Sequence, residues 1–196
     1  MSTALDALFN ADSHAEASEG NFDRDYLTPG DYLLKVKGLF VDRSDEQSQN
    51  RPGQLFAILE VDVQEVLDKR TVANPFFNEH QPVSAENRKE LVSLPVGSHA
   101  KIFFDLSKTV SGKWTRKGGE EYKRLMACLA ALASEPAMGI MVLPSSMDLG
   151  VARGLCENNG EAVIDEVLRV DYGIGRTKKG AVYPVASFQP VGQAAA

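Results

Sequence analysis

EYKRLMACLAALASEP, residues 121–136, places Tyr122, Leu125, Met126, Leu129, Leu132 and Ala133 at i, i+3, i+4, i+7, i+10 and i+11. That spacing is one apolar stripe on a 3.6-residue repeat, as in a helix laid with one face on a core. Ser134 to Pro136 stops it. On both sides of this helix the apolar residues alternate in twos instead.

Upstream, Pro29–Gly30 signals a turn, and Tyr32, Leu34, Val36 and Phe40 then fall on one face of a strand with Lys35 and Lys37 on the other. A polar loop, DEQSQNRPGQ (45–54), leads to Leu55, Ala57, Leu59, Val61 and Val63 alternating against Phe56, Ile58, Glu60, Asp62 and Gln64. The two runs read as an antiparallel pair, bulged near Gly38, with Glu60 and Asp62 expected across from Lys35 and Lys37 as cross-strand ion pairs. Residues 69–96 read as an insertion, with a short helix over Ala85 to Leu91 and with Phe76 and Phe77 tucked onto the core. SHAKIFFDL (98–106) is a third strand whose Ala100, Ile102 and Phe104 share a face. Downstream, VIDEVLRVDYGIG and AVYPVASFQPV flank RTKKG (176–180) as a hairpin. Residues 137–160 fit no single pattern.

The order is strand, strand, strand, helix, strand, strand. The expected class is therefore mainly β, an OB-fold-like five-stranded barrel with its one main helix between the third and fourth strands. The domain is expected over 27–192, preceded by a disordered acidic arm at 1–26 and followed by a frayed tail at 193–196. Leu5, Leu8 and Phe9 would allow a short helical turn in that arm, but an unstructured leader is the plainer reading.

A net charge of −6 is misleading until it is divided. Residues 1–25 carry six acids and one base, Arg24, which leaves the other 171 residues at −1. A nearly neutral domain can carry basic patches, so the acidic total is weak evidence against a polyanionic partner. No run of 18 apolar residues exists, and no basic-then-apolar leader stands at the N-terminus, so a cytoplasmic protein without a membrane contact is expected. Cys128 and Cys156 make neither a metal spacing nor a disulfide framework, and Cys128 falls on the apolar helical pattern as a small buried residue.

The sharpest local feature is KTVSGKWTRKGGEEYKRL (108–125), where Lys108, Lys113, Arg116, Lys117, Lys123 and Arg124 surround the single tryptophan, Trp114. Single-stranded nucleic acid is held by cations that follow the phosphates and by aromatic faces on which bases stack. A Gly-bounded loop carrying Trp114 with Lys113, Arg116 and Lys117 supplies both. The bland alternative is a surface loop with solvated cations. A second basic site is the hairpin tip, with Arg176, Lys178 and Lys179 and with Tyr183 on the next strand. In an OB-fold this tip is one wall of the groove, and the loop bearing Arg43 and Arg51 is the other, although Asp42, Asp45 and Glu46 dilute its charge. GIGRTKKGAV is not a nucleotide loop, because Ala181–Val182 stand where Lys and Ser/Thr are needed. His14, His80 and His99 have no metal or triad spacing, and Glu60 with Asp62 reads as a solvated strand face. No enzyme and no cofactor is expected.

PGDYLLKVKG, FAILEVDVQEV, LPVGSHAKIFFDL, EYKRLMACLAAL and VDYGIGRTKKGAVYPVASFQPV, spread over residues 28–191, together resemble phage-encoded single-stranded-DNA-binding proteins of replication and recombination cassettes. The resemblance implies an OB-fold that coats single strands without much sequence preference in the host cytoplasm. It also implies help to a recombinase, polymerase or helicase. Trp114, Lys113, Arg116, Lys117, Arg176, Lys178 and Lys179 would lie along the groove, with Tyr183 or Phe103 as further stacking surfaces. Many such proteins end in an acidic tail; here the tail is VGQAAA, and the acidic element is the N-terminal arm, which would either recruit the partner or compete with DNA. RNA binding and self-association are left open. The alternative reading is a phage structural or assembly protein using a β-barrel for protein contacts.

Overall fold

The structure, a computed structural model, describes residues 4–9, 26–43, 53–81, 88–106, 113–176 and 182–191. It contains helix α1 (Ala4–Phe9), strands β1 (Gly30–Arg43) and β2 (Leu55–Lys69), a short pair β3 (Thr71–Ala73) and β4 (Glu90–Val92), and strand β5 (His99–Asp105). Helices α2 (Arg116–Leu132) and α3 (Leu149–Cys156) follow, then strands β6 (Val167–Arg176) and β7 (Val182–Pro190). The protein is mainly β, as its alternation predicts. Its long strands form one antiparallel sheet in the order β5–β2–β1–β6–β7. The expected closed barrel is not formed, because β5 and β7 remain edges. Closure would require these two to pair. Instead α2 packs against both of them, and Pro184 has no N–H to give at that point.

The core lies between one side of this sheet and α2. Leu55, Ala57, Leu59, Val61 and Val63 of β2, and Ala100, Ile102 and Phe104 of β5, are all buried, as the period of two predicts, but Phe56 and Ile58 on the other face of β2 are buried as well. Strand β1 obeys the same rule only up to its bulge. Tyr32, Leu34 and Val36 are inside, but the register with β2 slips between Val36 and Gly38, and beyond that point Leu39 takes the core position. Phe40, expected inside, is only half-buried, since one extra residue moves every later side chain to the opposite face.

Several local expectations are corrected. Lys35 does stand opposite Asp62 in the ladder, yet its ammonium pairs with Asp165 at 2.8 Å, and Lys37 approaches the same carboxylate at 3.9 Å. Glu60 and Asp62 are taken from the other flank by Lys101 (3.1 Å) and His99 (3.0 Å) of β5. In the insertion, Leu91 belongs to β4, paired with β3, and not to a helix; residues 82–87 lie outside the described residues. Phe76 is exposed and does not tuck in, whereas Phe77 is half-buried with Lys89 over its ring. The acidic arm begins with α1, whose Leu8 is buried in the core, so Ala4–Phe9 is not a disordered leader; residues 10–25 lie outside the described residues. So do 192–196.

Residues 137–160, patternless in sequence, are short 3-10 turns around α3, which is capped by Asp148 through a 3.0 Å hydrogen bond from the Val151 N–H. Met147, Ala152 and Cys156 are buried, so this segment braces the core beside α1, α2 and β1. Both cysteines are buried free thiols. Desolvation raises both, Cys156 to about 12 and Cys128 higher still, so neither forms thiolate near neutral pH. Folded protein is therefore expected to react with a thiol-specific reagent only at its unfolding rate. A fast phase of one thiol per chain in a stopped-flow titration would contradict that burial.

Candidate nucleic-acid interface

The gap between the two free edges is a cleft of about 1230 Å³. Phe103 and Asp105 of β5 form one wall, and Val182, Tyr183 and Pro184 of β7 form the other. The chain leading into β1, Tyr26 to Pro29, and the β4 end of the insertion, Leu91 to Leu94, border its mouth. Tyr32 holds that mouth together. Its buried hydroxyl donates to the Thr28 carbonyl (3.0 Å) and accepts from the Leu94 N–H (3.1 Å). Thr28 Oγ1 donates to the Val92 carbonyl at 2.7 Å.

Five aromatic side chains line this space: Tyr26, Phe76, Phe103, Tyr172 and Tyr183. Tyr26 and Tyr183 are about half exposed, at 54% and 45%, so each presents side-chain surface to a ligand. Gly175, paired with Tyr183 across the hairpin, has no side chain because the Tyr183 ring occupies that space; a Cβ there would come within 2.7 Å of it. Phe103, which also lines the cleft, stacks on Phe56 at 5.6 Å, so one of its faces is taken.

The charged residues around the cleft are mostly paired. Lys117 reaches the buried carboxylate of Asp105 at 2.5 Å, and Gln54 also donates to Asp105. One turn further along α2, Glu121 and Arg124 form a pair at 2.6 Å with both side chains about nine-tenths buried. Burial raises the Glu121 carboxyl above its ordinary range, against the opposing pull of Arg124 and then Lys117. The Tyr172 hydroxyl is raised chiefly by burial.

Of the residues singled out from sequence, Lys117 and Tyr183 line the cleft. Arg176 is exposed at the end of β6, opposite Val182, the neighbour of Tyr183. Trp114 and Arg116 sit at the start of α2. Trp114 is half-buried, with its indole stacked on Tyr122 at 4.9 Å, so one of its faces is taken. Arg116 and Lys117 are on the helix and not in a loop: the Thr115 hydroxyl caps α2 by accepting from the Gly118 N–H at 2.9 Å, so the two glycines belong to its first turn. No acid stands in that turn, so the positive end of the helix dipole and two cations coincide. Lys113 is exposed just before it. Arg43 lies at the opposite end of β1 from Gly30 and is not in the cleft. Arg51, Lys178 and Lys179 lie outside the described residues.

Tyr26, Phe76 and Tyr172 had no sequence signal, since they come from three separate segments that only the fold brings together. Arg124 looked like one more cation of the basic cluster but is a buried side chain. No family model, no curated protein and no solved structure matches this chain.

Proposed function

We propose that this protein binds single-stranded DNA without catalysis, through an OB-type sheet whose fifth-to-third strand closure is left open as the binding cleft. The helix position and the strand order support the OB reading: each of the four pairs formed is one that such a barrel uses, and only the last is missing. The observation that carries the functional reading is the aromatic lining, with half-exposed Tyr26 at the mouth and half-exposed Tyr183 on the β7 wall of one cleft. Bases stack on aromatic rings for about 1–3 kcal/mol each, whatever their identity. Phosphates would follow Arg176 on one side and Lys113, Arg116 and Lys117 at the start of α2 on the other. A role in phage replication or recombination, in the cytoplasm and beside a recombinase, polymerase or helicase, is part of the same proposal and rests on the sequence resemblance alone.

A protein-contact reading has one observation in its favour. Met138, Ile140, Met141 and Leu143 are all exposed within six residues that carry no charge. The two readings separate on one titration. Labelled oligo-dT is expected to bind with an affinity that falls with salt at roughly 0.7 logarithmic units per phosphate contacted. Trp114 fluorescence should change only partly, because Tyr122 already covers one of its faces. Absence of binding at low salt, together with concentration-dependent assembly, would replace this proposal with the protein-contact one.

A further inference from the structure

The free edge of β5 is not bare. Three of its outward-facing residues, Lys101, Phe103 and Asp105, have backbone groups with partners outside the sheet. The Lys101 carbonyl accepts from the Leu27 N–H at 3.0 Å. The Phe103 carbonyl accepts from Nη2 of Arg124, and the Asp105 N–H donates to the Glu121 carboxylate. On the opposite wall, Nη1 of Arg124 reaches the Pro184 carbonyl of β7 at 3.5 Å. Beneath the guanidinium the apolar side of the gap is closed by Phe104 of β5, 4.9 Å below Arg124, and by Phe188 of β7, whose ring lies 6.2 Å from that of Phe104.

A neighbouring strand offers alternating donors and acceptors to an edge. Glu121 and Arg124, one helical turn apart on α2, offer the same: an acceptor for an N–H and a donor for the next carbonyl. Arginine suits the task because its planar fork can serve two carbonyls and a carboxylate at once, which a lysine ammonium does less well. Burial of the pair is otherwise difficult to rationalise, since two desolvated charges gain little over apolar packing of the same volume. We infer that the Glu121–Arg124 pair stands in for the absent β5–β7 ladder and fixes the separation of the two cleft walls. They are positioning residues for Phe103 and Tyr183 and need not touch a ligand.

The test uses the full chain without nucleic acid, so it does not depend on what the cleft binds. Amide hydrogen exchange is followed in Arg124→Met, Arg124→Lys and Glu121→Gln. Exchange is expected to rise at least tenfold at Asp105 and along β7, with amides of the β1–β2 ladder unchanged. Arg124→Lys should fall between Arg124→Met and the parent, because it keeps the pair with Glu121 but loses the fork. If Arg124→Met does not fold, Arg124→Lys and Glu121→Gln decide. Unchanged exchange at Asp105 and β7, or a rise shared equally by β1 and β2, overturns the inference, since a merely stabilising pair would loosen the whole sheet together. The inference concerns the cleft of the proposed function, and a second reading separates the two. If the parent binds oligo-dT, Arg124→Lys should weaken binding about tenfold; if the parent does not, that proposal fails while the exchange result stands.

Discussion

Gly160→Ala is expected to destabilise the fold by about 3–5 kcal/mol, lowering the melting temperature by roughly 10 °C for a chain of this size. Two independent penalties meet at this residue. Its backbone is left-handed, with φ at +77°, closing a run in which Asn158 and Asn159 are left-handed too. The added Cβ would also stand 2.7 Å from the Leu39 backbone nitrogen and 2.7 Å from the Leu39 Cβ. Leu39 cannot retreat, because it is the first core residue after the β1 bulge and is itself fully buried. Gly139 supplies the control: it has φ at +72° with open space around its Cα, so Gly139→Ala carries only the conformational penalty of about 1–2 kcal/mol. Urea denaturation of both variants checks the difference. Equal losses at the two sites would mean that the close approach to Leu39 is not present in the folded protein.

That contact also shows what the sequence could and could not tell. The core-facing residues of β2, β5 and α2 follow from periodicity, but periodicity does not predict that Phe56 and Ile58, on the other face of β2, are buried as well. The bulge near Gly38 was legible as a place but not as a parity: whether Phe40 or Leu39 enters the core depends on how many residues the bulge absorbs. That number is set by pairing with β2. Ion-pair partners were less legible still, since Lys35 has Asp62 on one flank and Asp165 on the other, and only side-chain reach in three dimensions chooses between them. The start of α2 is not legible from periodicity, because a Thr-x-x-Gly cap carries Arg116–Lys117–Gly118–Gly119 into the helix against the weak helix propensity of the glycines. The candidate site divides in the same way. Lys117 and Tyr183 were found by local composition, whereas Tyr26 and Phe76 reach the cleft only through the path of the chain around β1 and the β3–β4 pair.

Removing both half-exposed rings, Tyr26→Ala with Tyr183→Ala, is expected to weaken oligo-dT binding by about 3 kcal/mol, roughly a hundredfold in Kd. Each ring is half exposed, so little apolar burial is lost from the folded protein and the melting temperature should barely move. The ring of Tyr183 does rest on Gly175, but glycine tolerates the exposure that its loss would leave. Stacking is a non-ionic contribution. The salt dependence of binding in the double variant should therefore keep its slope while the whole line drops. Arg176→Ala should do the reverse, reducing the slope by roughly 0.7 per phosphate released while shifting the high-salt affinity little. Phenylalanine at both positions keeps the faces and loses only the hydroxyls, so Tyr26→Phe with Tyr183→Phe should bind like the parent. Should the double alanine variant bind as tightly as the parent, with the same slope, bases do not stack in this cleft. The strand would then have to run over the start of α2 alone, past Trp114 and Arg116.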